Sequence, residues 1–165
     1  MNGAIQWISL GGLTLLLVIA VVTDLRARRI ANWLCGLVAL LALPWWWASG
    51  VPLWSTLGVQ CALATGTFVV FAFAFARGWM GGGDVKLLTA LALWIAPLWF
   101  MRLVIVMSII GGLLTLVMWI HHRARQRTER LAIPYGVAIA SAGLWALFAQ
   151  HRALFHLPAN AAGLG

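Results

Sequence analysis

Residues 5–23 read Ile5-Gln6-Trp7-Ile8-Ser9-Leu10-Gly11-Gly12-Leu13-Thr14-Leu15-Leu16-Leu17-Val18-Ile19-Ala20-Val21-Val22-Thr23, and the next six are Asp24-Leu25-Arg26-Ala27-Arg28-Arg29. The first stretch carries no charge and is close to the ~20 residues a helix needs to cross a hydrocarbon core. An amphipathic helix of a soluble protein would interrupt it with a charged stripe. The abrupt run of arginines then marks where the chain leaves the membrane. Upstream, Met1 to Gln6 hold no Lys or Arg, so the charges follow the apolar run rather than precede it. That is the reverse of a secretory signal, and it predicts an uncleaved first span with its N-terminus outside.

The same pattern recurs along the chain. A second span is predicted over about Trp33–Trp47, ending in Trp45-Trp46-Trp47 and an uncharged turn at Ser49-Gly50-Val51-Pro52. A third covers about Leu53–Ala76 and leads into Arg77-Gly78-Trp79-Met80-Gly81-Gly82-Gly83-Asp84. The fourth is expected over about Val85–Phe100, the fifth from Leu103 after a break at Met101-Arg102, and the sixth over about Ile133–Ala149. Between the last two lies the most polar segment, Arg123 to Arg130. The expectation is an all-α membrane protein, a bundle of about six transmembrane helices. It forms a single transmembrane domain over residues 1–156, with a disordered tail over 157–165. Pro52 and Pro97 also leave room for four spans or a re-entrant segment.

Composition supports this reading over the whole length. Apolar residues make up 64% of the 165 and charged residues 8%, against roughly a quarter charged in soluble domains. The net charge of +8 is topological information in such a chain, because basic residues collect in cytoplasmic loops; no nucleic-acid partner is implied, and membrane lipids are the implied surroundings. With both termini outside, Arg26, Arg28, Arg29, Arg77, Lys86, Arg123, Arg125, Arg127 and Arg130 fall inside, and only Arg102 and Arg152 fall outside. Most of the tryptophans sit at predicted span ends, as aromatic belts do. Gly11-Gly12 and Gly111-Gly112 are expected contact points between helices. Cys35 and Cys61 stand alone in apolar stretches and read as packing residues, with no metal-ligand spacing.

Three acidic residues exist: Asp24, Asp84 and Glu129. Glu129 lies among four arginines and reads as surface charge compensation. Asp24 ends the first span and Asp84 opens the fourth, so topology puts both at one membrane face. Each has an ordinary role available: Asp24 as a helix-end partner of Arg28, Asp84 as an N-cap. Their joint placement points to a paired-carboxylate site, in which one ionised carboxylate takes a proton from water and one neutral carboxyl protonates a carbonyl oxygen. Three glycines before Asp84 permit close backbone approach to a substrate. A zinc-protease HExxH, a Gly-x-Ser-x-Gly elbow and a GxxxxGK[ST] loop are all missing from the sequence, and the adjacent His121 and His122 lack the spacing of two ligands on one helix face. Neither a metal nor a cofactor is called for. The helix dipole and Lys86 are expected to lower the pKa of Asp84, making it the general base, with Asp24 the general acid.

Three segments together resemble the prepilin leader peptidases. Asp24 to Asn32 is similar to that family's first motif, with Ala31 standing where proline is usual. Met80-Gly81-Gly82-Gly83-Asp84-Val85-Lys86 matches the second, of core Gly-x-Gly-Asp, and Ile133-Pro134-Tyr135-Gly136-Val137-Ala138-Ile139-Ala140 resembles the opening of the last helix. The resemblance implies catalytic Asp24 and Asp84, an active-site loop of Gly81, Gly82 and Gly83 with Lys86, and a prepilin-like substrate. Its location would be the bacterial inner membrane, with the site facing the cytoplasm. The N-terminal insertion of the larger, methylating members has no counterpart here, which implies the short peptidase-only form associated with tight-adherence (Flp-type) pili. A proton- or ion-coupled transporter and a structural subunit of a pilus or secretion complex are the alternatives. The oligomeric state is not legible.

Overall fold

The computed structural model describes residues 2–50, 53–124 and 135–156. The chain is an all-α membrane protein, and its described residues form six helices: α1 (Asn2–Ala27), α2 (Asn32–Ala48), α3 (Leu53–Ala76), α4 (Gly82–Ala92), α5 (Pro97–Ala124) and α6 (Tyr135–His156). Among the described residues, three segments are long and apolar enough to cross a membrane: Gly3–Ala27, Thr56–Ala76 and Pro97–His121. Arg125, Arg127, Glu129, Arg130, Ile133, Pro134 and the predicted tail 157–165 lie outside the described residues.

α4 is the centre of the bundle. It packs on α2, α3 and α6, while α1 packs on α2 and α6, and α5 on α6. Its buried residues are Val85, Leu87, Leu88, Ala90, Leu91 and Ala92, apolar around most of its circumference, as a helix with neighbours on every side requires. On α3 and α5 the large apolar side chains stay exposed, among them Phe68, Val69, Phe73, Ile105, Leu113 and Val117. These faces suit contact with lipid.

The fourth predicted span is corrected. It does not run to Phe100 or break at Met101-Arg102; α4 ends at Ala92 and α5 starts at Pro97. Proline fits the first helical position, where its missing N–H has no partner to lose. Eleven residues rise only ~16 Å, about half of a ~30 Å hydrocarbon core. Backbone left unpaired at that depth must be satisfied within the protein, and side chains from three helices do so. Trp46 Nε1 donates to the Leu93 carbonyl at 3.0 Å, and the Ala96 N–H donates to Gln150 Oε1 at 2.9 Å. The Gln60 amide nitrogen, turned toward α4, donates to the Ala92 and Ile95 carbonyls at 2.9 and 3.3 Å. Trp94 Nε1 reaches back to the Val38 carbonyl at 2.8 Å.

Trp46, at the end of the predicted second span, and Trp94, inside the predicted fourth, are therefore buried structural donors and not part of an interfacial belt. Each glycine pair contributes one contact point. Gly12 lies against Leu41 and Gly111 against the Tyr135 ring, while Gly11 and Gly112 face open space. Cys35 is buried, and its thiol approaches the Gly83 carbonyl at 3.8 Å. Cys61 is exposed on α3, so packing explains only the first cysteine.

Candidate active site

α1 finishes with Asp24 in its last full turn, and the Arg28 N–H closes the helix on the Asp24 carbonyl at 2.9 Å. Arg28 itself takes φ +52°, a left-handed conformation uncommon for a residue with a side chain, and the chain turns there toward Ile30 and α2. This turn leaves the Asp24 side chain pointing into the bundle, 5% exposed. Among the described residues its Oδ2 has no hydrogen-bond partner. The alternative role for Asp24, a helix-end charge paired with Arg28, is met by the backbone only; between these two described residues no side-chain ion pair forms.

Asp84 enters from the other side. The N-cap of α4 is Gly81, not Asp84; Asp84 is the third helical residue, from which its carboxylate reaches back to the Gly81 N–H, as an N3 acid does in a capping box. The approach is close enough that a Cβ on Gly81 would stand 2.7 Å from Asp84 Oδ2. Gly83 does a different job. A Cβ there would meet the Ile30 Cβ and the Ile30 carbonyl oxygen, each at 3.0 Å, so its missing side chain lets the start of α4 press against the turn after α1. Gly82 faces the Phe75 ring.

The two aspartates, 60 positions apart in the sequence, thus line one cavity of about 620 Å³. Arg28, Arg29 and Ile30 wall it on one side, Trp79 to Gly83 on another, and Tyr135 on a third. The charge of Asp24 reaches Asp84. Asp84 is pushed up to about 6, first by burial and then by the negative charge of Asp24, against the opposing pull of the Gly81 N–H. This overturns the expectation of a lowered Asp84. The dipole at the head of α4 is outweighed by desolvation and a like charge, and Lys86 is turned away, donating to Asn32 Oδ1 at 2.8 Å. Of the residues predicted for the site, Asp24, Asp84 and Gly81 to Gly83 line the cavity; Lys86 does not, and braces α4 against the first residue of α2.

The first turn of α6, which resembles the opening of the family's last helix, carries no chemistry that the sequence alone assigns, yet it reaches the site. Tyr135 lines the cavity, and the backbone N–H groups of Gly136 and Val137 face the Asp24 carboxyl. A glycine directly after Pro134-Tyr135 at a helix start was the available signal. Among the described residues, no group of three His, Cys, Asp or Glu side chains could hold a metal ion. His121 is exposed near the end of α5.

Comparison with known proteins adds one finding. A family model described as the type IV leader peptidase family matches residues 12–116, a stretch that contains both aspartates and ends before α6. No curated protein and no solved structure matches the chain.

Proposed function

Because the chain belongs to the type IV leader peptidase family, we propose that it is an aspartyl endopeptidase that removes the basic leader of prepilin-like precursors, with Asp24 and Asp84 as its catalytic pair. The observation that carries this reading is the shared cavity. Two of the chain's three acids, brought in by separate helices, open onto one space, and the charge of Asp24 raises the pKa of Asp84. Two nearby carboxylates cannot cheaply ionise together, so they hold one proton between them, which is the state the reaction needs.

Asp24 faces two backbone N–H groups, of Gly136 and Val137, and Asp84 one, of Gly81; in this reading Asp24 therefore stays ionised as the general base, and Asp84, pushed up to about 6 by burial and the charge of Asp24, holds the proton as the general acid. In the first step Asp24 takes a proton from water as the water oxygen bonds to the scissile carbonyl carbon, and Asp84 gives its proton to the carbonyl oxygen. In the second the tetrahedral intermediate returns that proton to Asp84. Asp24 protonates the leaving nitrogen, and the C–N bond breaks. Each proton transfer by a positioned group contributes typically ~10²–10⁴-fold.

The site faces the cytoplasm of the bacterial inner membrane in this reading, because the arginines beside it, Arg26, Arg28, Arg29 and Arg77, are the ones the positive-inside rule keeps there. The substrate enters as an extended segment joined to one apolar helix, with its cut just inside the membrane. The peptidase acts without N-methylation and serves Flp-type pili. The decisive experiment is co-expression with a tight-adherence prepilin. Asp24→Asn and Asp84→Asn should each abolish leader removal while the protein stays inserted and abundant, and chelators should leave the wild type active. Processing that survives either substitution refutes the catalytic pair. A transporter would place its acids near the midplane between broken helices, and here both lie at helix ends.

A further inference from the structure

We propose that Gly136 is a positioning residue for Asp24: the absence of a side chain there allows the first turn of α6 to seat the Asp24 carboxyl in its working orientation. The inference rests on the reading of Asp24 and Asp84 as the catalytic pair, and extends it to a helix beyond the segment that the family model matches.

A Cβ on Gly136 would stand 2.8 Å from Asp24 Oδ2, 2.9 Å from its Cγ and 2.8 Å from Ile30 Cδ1. All three are well inside van der Waals contact, so something must move. The turn carrying Gly136 is held from behind, with the Tyr135 ring lying on Gly111 and α6 packed on α1, α4 and α5. The Asp24 backbone is fixed within α1. What can yield is the end of the Asp24 side chain, together with the Ile30 methyl beside it. Ile30 also packs tightly against Gly83, which leaves the carboxyl as the softer partner.

Displacing that carboxyl has a chemical consequence because it is buried and enclosed. It is 5% exposed, faces the N–H groups of Gly136 and Val137, and shares its cavity with Asp84. A misplacement of ~1 Å in a reacting group can cost ~100-fold in rate. Gly143, on the same helix, is the internal contrast. A Cβ there would meet Leu91 Cδ1 at 3.0 Å, an apolar contact in the core with no catalytic group beside it.

The test is prepilin cleavage by purified enzyme in nanodiscs, read as kcat and KM together with thermal stability, for Gly136→Ala, Gly136→Ala with Ile30→Val, and Gly143→Ala. Ile30→Val removes the Cδ1 atom and relieves the apolar part of the crowding while leaving the overlap with the carboxyl. Gly136→Ala should lose ~100-fold in kcat with KM changed less than ~3-fold. Adding Ile30→Val should return stability but not kcat, and Gly143→Ala should lower stability with kcat retained. Recovery of kcat with stability in the double variant would make Gly136 a packing residue and overturn the proposal, as would wild-type kcat in Gly136→Ala. The catalytic pair is judged separately: cleavage retained by Asp24→Asn or Asp84→Asn would sink that reading whatever Gly136→Ala does.

Discussion

Lys86 Nζ and Asn32 Oδ1 are 2.8 Å apart, a bond across 54 positions of sequence that joins the helix carrying Asp84 to the segment that follows Asp24. It is exposed, so its contribution to stability is small, but it crosses one of the junctions that fix the two acids relative to each other. Lys86→Met and Asn32→Ala should each reduce cleavage by ~10-fold, and the double variant should be no worse than either single one, since both remove one interaction. Additive losses in that cycle would mean that Lys86 acts on substrate instead.

The pH dependence follows from Asp84. In the proposed mechanism the pair shares one proton; with Asp84 at about 6, that state is lost as pH rises through this value and both carboxylates become charged. The cleavage rate should therefore show a basic limb with an apparent pKa near 6, falling tenfold per pH unit above it. Measurement of kcat/KM against a prepilin peptide from pH 4 to 9 checks this, and a profile still rising at pH 8 would contradict it.

Stability should follow the same proton. The folded-state value of about 6 exceeds the ordinary 3.8, so the folded protein binds more protons than the unfolded chain between these limits. The stability this contributes is complete below about 3.8 and is lost as pH rises through about 6. Asp84→Asn removes the titration, so it should flatten the melting temperature between pH 4 and 6 and raise it by a few degrees at pH 7, even as it abolishes activity.

The glycines around the site should separate by what they touch. Gly81→Ala crowds the Asp84 carboxylate and should reduce kcat more than stability. Gly83→Ala presses on the backbone of Ile30, which cannot rotate away, and should cost ~1–3 kcal/mol of stability. Parallel melting and cleavage assays on the two variants distinguish these patterns.

What was legible in the sequence was what a one-dimensional pattern can carry. The apolar run before Asp24 and the arginines after it placed that acid at the end of a helix, and Gly81-Gly82-Gly83-Asp84 placed the other at the start of one. The meeting of the two was readable through topology alone. The partner of Lys86 was not, because Asn32 is brought to it by the left-handed turn at Arg28. The rise in Asp84 is not legible in the sequence, because the burial that outweighs helix dipole and sequence neighbours exists only in the packed fold. The end of α4 is hidden for a related reason: Leu93 to Ala96 are as apolar as a helix interior, and the side chains that cap their backbone come from Trp46, Gln60 and Gln150 on three other helices.

That arrangement has a bearing on how the protein meets bilayers of different thickness. α1, α3 and α5 answer to the lipid and can tilt as the hydrocarbon layer thins or swells. α4 has no free end at the far surface; it hangs from indole and amide groups of its neighbours. The depth of Asp84 is accordingly gauged from within the protein, and the distance between the cut site and the water should stay constant while the surrounding membrane changes.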